Sequence, residues 1–175
     1  MTVSLDDLRA KILEVSDFPE SGLSFQDLSL LLADPECFKT VVDLLADWAR
    51  AKKPEVVVGA EAGGFILGGA LAYELGTGFV AARRPDLSSL EATPDDWETE
   101  GVVGSLELPA GLISAGTRVL VHDDLLATGA TAQAKVELVE QIGAEVVGVV
   151  FVVELQLLNG RRRLAGHDVH SLIKL

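Results

Sequence analysis

The chain has 175 residues, 49% of them hydrophobic, with one cysteine and a formal net charge of −13. That length suits a single domain over 1–175 with a substantial core, and the apolar content excludes a disordered chain. The negative balance argues against a nucleic-acid partner, whose grip depends on Lys and Arg neutralising phosphates. No apolar run reaches the roughly 18 residues of a membrane span, and no basic-then-apolar leader is visible, so neither membrane nor secretion is expected. Cys37 has no partner for an internal disulfide, which fits a cytoplasmic location.

Ser4 and Asp7 have the spacing of a capping box, and Leu5, Leu8, Ile12 and Val15 follow at helical intervals, predicting a helix over 5–15. Residues 17–27, broken by Pro19 and Gly22, read as irregular. Asp34-Pro35 supplies an N-cap with proline at the first helical position. The stripe Phe38, Val41, Val42, Leu45, Trp48 and Ala49 then predicts a helix to about residue 51, with Cys37 and Trp48 as core residues. Residues 55–59 read as a short strand, 60–64 as a turn, 65–75 as a buried helix and 78–82 as the next strand. Two such units in succession predict an α/β fold: a central, mostly parallel twisted sheet flanked by helices.

Residues 83–116 break this pattern with Pro85, Pro94 and Pro109 among many acids. The stretch is too long for an ordinary loop, so it is either a functional flap or a small antiparallel insertion. Beyond it, Val119, Leu120 and Val121 predict a buried strand ending at Asp123 and Asp124. A helix over 132–142 and strands over 146–155 and 169–174 complete the chain.

The functional signal sits between the strand at 119–121 and the helix at 132–142. Ala127, Thr128, Gly129, Ala130 and Thr131 make a turn of small and hydroxyl residues opening a helix, which aims N–H groups and the positive helix end at one point. That geometry suits a phosphate. Asp123 and Asp124 stand just beyond a strand's carboxyl end, where ligands gather in open α/β sheets. Two acids beside an anion seat make sense if the ligand also carries ribose hydroxyls, or a bridging metal ion. Neither a P-loop Gly-Lys-Ser/Thr nor a G-x-G-x-x-G is present. The overall charge repels a polyanion, so local cations or Mg²⁺ must neutralise it. His167 and His170 have a spacing that could serve a metal, but no third ligand is near and a surface loop is the simpler reading. His122 reads as a satisfied sheet residue.

The run from Asp123 to Thr131, Asp-Asp-Leu-Leu-Ala-Thr-Gly-Ala-Thr, resembles the 5-phosphoribosyl-1-pyrophosphate signature of the type I phosphoribosyltransferases, and of their adenine-specific branch most closely. The likeness extends from about Asp17 to the C-terminus. Asp17-Phe-Pro, Gly22, Phe25 and Asp27 resemble the segment that forms the adenine pocket. Gly59, Glu61-Ala62, Gly64 and Phe65 resemble the pyrophosphate loop. Arg83-Arg84-Pro85 resembles the start of a flexible hood, and Trp97-Glu-Thr-Glu100-Gly its tip.

The resemblance implies that family's fold, with the hood at about 83–116, and a purine-salvage reaction. Adenine and 5-phosphoribosyl-1-pyrophosphate would give AMP and pyrophosphate, with Mg²⁺ as cofactor, in a homodimer. It further implies roles by position. Thr128, Gly129 and Thr131 would hold the 5′-phosphate together with the amides of Ala127 and Ala130. Asp123 and Asp124 would hold the ribose hydroxyls, one of them being available to the substrate-borne Mg²⁺. Phe25 and Leu126 would flank the purine, with Gln26 and Leu125 beside them. Glu61, Ala62 and Gly63 would face pyrophosphate with Arg83 and Arg84, and Glu100 would be the general acid/base.

Four positions depart from the family pattern. Gly63 stands where Arg is usual, Gln26 where Arg or Lys is usual, and Gly101 where Tyr is usual; residues 86–89, including Leu87, replace Gly-Lys-Leu-Pro. Each lost charge-assisted contact is worth about 1.5–3 kcal/mol. Two alternatives therefore stand beside the adenine transferase: a weak or inactive paralogue that binds AMP as a sensor, and a transferase for another purine base.

Overall fold

In chain order the elements are α1 (Leu5–Ala10), β1 (Leu13–Ser16), β2 (Ser24–Asp27), α2 (Ser29–Ala33), α3 (Pro35–Arg50), β3 (Val56–Ala60), α4 (Gly63–Leu75), β4 (Gly78–Ala82), β5 (Thr99–Val103), β6 (Leu106–Pro109), β7 (Arg118–Leu126), α5 (Ala130–Gln141), β8 (Glu145–Glu154) and β9 (Val169–Lys174). These come from a computed structural model that describes residues 3–16, 24–61, 63–84, 99–103 and 106–175, with only the backbone at 16, 24, 25 and 99–103. Two short 3-10 segments, Gln156–Leu158 and Gly160–Leu164, link β8 to β9.

The central sheet has the order β4-β3-β7-β8-β9, and every neighbouring pair is parallel. Its strands are apolar on both faces because helices cover both. Val57 and Leu120 face one core with α1, α2, α3 and α4. Val58, Val119, Val121 and Phe151 face the other, with α5 and the strand β6. Chain direction through the sheet reverses between β3 and β7: β3 leads through α4 outward to β4, whereas β7 leads through α5 the other way to β8 and β9. The crevice at such a switch point is where open α/β sheets bind ligands.

The caps explain two helix starts. Ser4 and Asp7 form the expected capping box on α1, the Ser4 N–H donating to Asp7 Oδ2 at 2.9 Å and the Asp7 N–H to Ser4 Oγ at 3.2 Å. Asp34 Oδ1 accepts from the N–H groups of Glu36 and Cys37 at 3.1 and 3.2 Å, with Pro35 in the first helical turn. Cys37 is a buried core thiol of α3. Trp48 is half-buried, stacked on His170 with centroids 5.0 Å apart and with the Lys52 ammonium over its ring, 4.1 Å from the centroid. His167 instead faces Glu140, 3.7 Å away. The two histidines thus serve different partners, and among the described residues no group of three metal-ligating side chains occurs.

Three expectations need correction. The helix expected over 5–15 stops at Ala10, and Leu13–Ser16 pair antiparallel with Ser24–Asp27. Ile12 and Val15 satisfy a helical period by coincidence; cross-strand pairing decides, and the irregular reading of 17–27 gives way to a strand at 24–27. Residues 17–23 lie outside the described residues. The strand expected to end at the acids runs on to Leu126, because β8 pairs it as far as Glu154. In the 83–116 stretch the described part is an antiparallel pair, β5 with β6, and Arg83 bridges to Glu107.

Candidate active site

β3 pairs with β7 only as far as Gly59 opposite His122. Asp123 and Asp124 therefore emerge one step beyond that pairing, at the carboxyl edge of the switch crevice, while β8 still holds their backbone. Strand alternation sends the two side chains to opposite faces. Asp123 turns toward α5, and Asp124 toward the first turn of α4.

Asp123 is buried and ion-paired: Lys135 Nζ lies 2.8 Å from its Oδ2, and the same ammonium donates to the His122 carbonyl at 2.7 Å. Lys135 is fully buried. Burial pulls its pKa below the ordinary lysine value, and the Asp123 charge opposes that pull. Asp124 is half-buried; burial, then the Asp123 charge, push its carboxyl above the usual range. His122 is buried too. Its Nδ1 lies 3.2 Å from the Val150 carbonyl, which only an Nδ1–H can satisfy, while Nε2 has no partner among the described residues. Burial first, then Lys135, lower its pKa to about 3, so it is a neutral sheet residue.

Asp123 and residues 125–132 line a pocket of about 60 Å³. Gly129 caps α5 at φ +81° with no side-chain cap of its own, and the Ala130 N–H makes only a stretched 3.5 Å bond to Thr128 Oγ1, so the helix start suits an anion. The turn is braced from below by the 3-10 segment. A Cβ on Gly160 would stand 2.2 Å from the Ala127 carbonyl oxygen, and one on Gly129 would stand 2.4 Å from the Gly160 carbonyl oxygen. Backbone meets backbone here, and only glycine fits. Arg161, next in sequence, clamps that segment to β8: its Nε and terminal NH₂ donate to the two Glu154 carboxylate oxygens at 3.0 and 2.5 Å, and its other NH₂ to the Val169 carbonyl at 2.8 Å.

The β3–α4 turn is bare by contrast. Glu61 is exposed, Ala62 lies outside the described residues, and a Cβ on Gly63 would fall 1.8 Å from Asp124 Oδ2. The Asp124 carboxylate thus packs where a residue-63 side chain would begin. Arg83 and Arg84 stand exposed at the end of β4. Gln26 is buried in β2 opposite Glu14, and Phe25 pairs with Val15 through its backbone, its side chain lying outside the described set. Glu100 belongs to β5 at a register shift between Thr99 and Gly101; its side chain is likewise outside, as is Leu87.

The phosphoribosyl transferase domain model matches residues 28–169. The chain belongs to this phosphoribosyltransferase family. It is 46% identical to an adenine phosphoribosyltransferase of Solibacter usitatus over 97% of this chain and 98% of that protein. Its structure is similar to that of adenine phosphoribosyltransferase from Thermoanaerobacter pseudethanolicus, with a TM-score of 0.88 at 38% identity, covering 98% of this chain and 100% of the other. It is similar also to the Saccharomyces cerevisiae adenine phosphoribosyltransferase complexed with an imino-altritol bisphosphate and adenine, with a TM-score of 0.85 at 31% identity, over 96% and 97% of the two chains. In phosphoribosyltransferase terms, the fold follows the family, and the chain is a pentosyltransferase.

Three residues that support the site are missed by the sequence reading: Lys135, Gly160 and Arg161. Lys135 shares a helical face with Ala132, Val136 and Val139, all buried. A cation on that apolar stripe is the signal that could have found it. Gly160 leaves no such trace because its partners Ala127 and Gly129 belong to another element, and Arg161 reads as one of three consecutive arginines until Glu154 is folded beside it.

Proposed function

We infer that the chain transfers the phosphoribosyl group of 5-phosphoribosyl-1-pyrophosphate to adenine, forming AMP and releasing pyrophosphate. The observation behind this reading is the meeting, at one switch-point crevice, of a glycine-braced phosphate turn and two carboxylates. The amides and hydroxyls of residues 127–131 seat the 5′-phosphate at the α5 N-terminus. Asp123 and Asp124 accept from the ribose hydroxyls, so the anomeric carbon is held in fixed relation to both nucleophile and leaving group. The ring nitrogen of adenine attacks that carbon as its bond to pyrophosphate breaks. Glu100 on the β5–β6 hairpin takes the proton from the base, and closure of the hood excludes water. Phe25, Gln26, Leu125 and Leu126 form the purine pocket, and Glu61, Ala62, Gly63, Arg83 and Arg84 line the pyrophosphate side.

Adjacent carboxylates are hard oxygen donors that suit Mg²⁺; among the described residues no third such ligand joins them, so substrate oxygens and water would complete its shell. When bound through Asp123 or Asp124, Mg²⁺ supplies the positive charge that pyrophosphate needs on leaving.

A homodimer is part of the same proposal. α4 is apolar around most of its circumference, yet leaves Ile66 and Tyr73 at 51% and 87% exposure. Such a helix is expected to be covered. A cytoplasmic location is proposed with it; among the described residues no helix is long and apolar enough to cross a membrane.

The test is turnover with Mg²⁺ and a panel of adenine, hypoxanthine, guanine and xanthine. AMP formation from adenine is the expected result, and no turnover with any base overturns it. Saturable AMP binding without turnover would instead point to a nucleotide sensor, a reading that the absent cation at Gly63 favours.

A further inference from the structure

Lys135 is not assigned by any part of the motif, yet it is the most deeply placed cation near the crevice. It stands on α5, whose N-terminus forms the phosphate seat, and its side chain is fully buried. Its ammonium touches two atoms of β7: Asp123 Oδ2 at 2.8 Å and the His122 carbonyl oxygen at 2.7 Å. A charge so buried persists only where partners replace its water. Here the partners are the strand segment that carries the ribose-facing acids. The other Asp123 oxygen points at the opening of α4, where a Cβ on Gly64 would come within 3.0 Å of it. Asp123 is thus held on one side by a cation and confined on the other by backbone. Asp124, resting on Gly63, makes no ion pair among the described residues.

We propose that Lys135 is a positioning residue: by pinning Asp123 to α5, it fixes the separation between the ribose-binding carboxylates and the phosphate seat. This rests on the reading of Asp123 and Asp124 as ribose-hydroxyl acceptors. The pin also offsets one of two adjacent negative charges from inside, at a site whose outer face lacks a cation at residue 63. A substrate carrying both phosphate and ribose must satisfy both halves of the site at once, so loosening the pin weakens ligands that span them. Free adenine, which touches neither acid, is unaffected.

The experiment compares wild type with Lys135→Met, which keeps the aliphatic stem, and Lys135→Gln, which keeps a donor toward the His122 carbonyl. Steady-state kinetics give KM for each substrate, and calorimetry without metal gives the AMP dissociation constant. The expected result is a tenfold or larger rise in KM for 5-phosphoribosyl-1-pyrophosphate and in the AMP constant, with KM for adenine within twofold. In an Asp123→Asn background the same substitution should change the AMP constant less than twofold, since the pin is already cut. A folded Lys135→Met or Lys135→Gln with both values within twofold of wild type overturns the proposal, as do equal effects in the two backgrounds. If neither variant folds, Lys135 is structural only and the proposal fails. The underlying reading fails separately: wild type that neither turns over nor binds AMP removes the ribose site itself. Wild-type AMP binding weakened by Asp124→Asn, with Lys135→Met unchanged, removes the positioning role alone.

Discussion

Two strand–turn–helix junctions face each other across the crevice, β7–α5 and β3–α4, and they are built on opposite plans. The β7–α5 turn is enclosed by its own protein: Gly160 presses on it from below, Arg161 and Glu154 hold Gly160 in place, and Lys135 ties the strand to the helix. Among the described residues the β3–α4 turn shows no such brace, and the carboxylates of Asp124 and Asp123 lie against Gly63 and Gly64. The first is a seat finished before the ligand arrives. On the proposed reading, the second would be completed by what the ligand brings, which suits a group that must leave.

The comparison can be broken most severely at the acids, which belong to both junctions. Asp123→Asn or Asp124→Asn should lower AMP formation on the order of 100-fold, since on the proposed reading each would remove a charge-assisted contact to ribose; initial-rate assays at saturating substrate check this. Gly160→Ala comes next. Its Cβ would sit 2.2 Å from a backbone oxygen of the phosphate turn, so either the turn or the 3-10 segment must move. Overpacking of this kind costs about 1–3 kcal/mol, and AMP affinity by titration calorimetry should fall about tenfold with the thermal midpoint.

Gly63→Arg sharpens the contrast instead of breaking it. Asp124 would have to swing aside, but the bare junction would gain the cation it lacks, and one charge-assisted contact is worth about 1.5–3 kcal/mol before that rearrangement. Displacing Asp124 should weaken both ligands alike, so the expected outcome is a fall of about tenfold in the ratio of KM for 5-phosphoribosyl-1-pyrophosphate to the AMP dissociation constant, read from paired kinetics and calorimetry.

The smallest effect concerns the brace. Hydrogen bonds from Arg161 hold Glu154 below the ordinary carboxylate value of 4.5. The folded chain therefore releases that proton more readily than the unfolded chain. The resulting stabilisation is complete above the unfolded value and is lost as pH falls through the lowered folded one. Arg161 is partly exposed, so screening limits the contribution to about 1 kcal/mol. Glu154→Gln should lower the thermal midpoint by roughly 2–4 °C at pH 7 and by progressively less as pH falls below the unfolded value.

The finished junction was also the legible one. Its residues lie contiguous between Asp123 and Thr131, and short-range chemistry of amides, hydroxyls and acids suffices to read them. The layout of the sheet was equally open to reading, because buried parallel strands such as Val56–Ala60 are marked by local β-branched runs. What escaped depends on distant contacts. Leu13–Ser16 become a strand only because Ser24–Asp27 lie alongside. Gly160 matters only because Ala127 and Gly129 are folded over it. Lys135, in a helix with Gln133, Glu137 and Glu140, looks like one more solvated charge until the helix is docked.

The arrangement of the sheet also governs the order in which the molecule can be made. β3 is flanked by β4 and β7, but residues 83–117 separate β4 from β7 in the chain. While those residues leave the ribosome, β3 presents an unpaired apolar edge through Val57 and Val58. Chain elongation thus passes through a window of aggregation risk that closes when the stretch from Arg118 to Leu126 emerges, and with it the two aspartates.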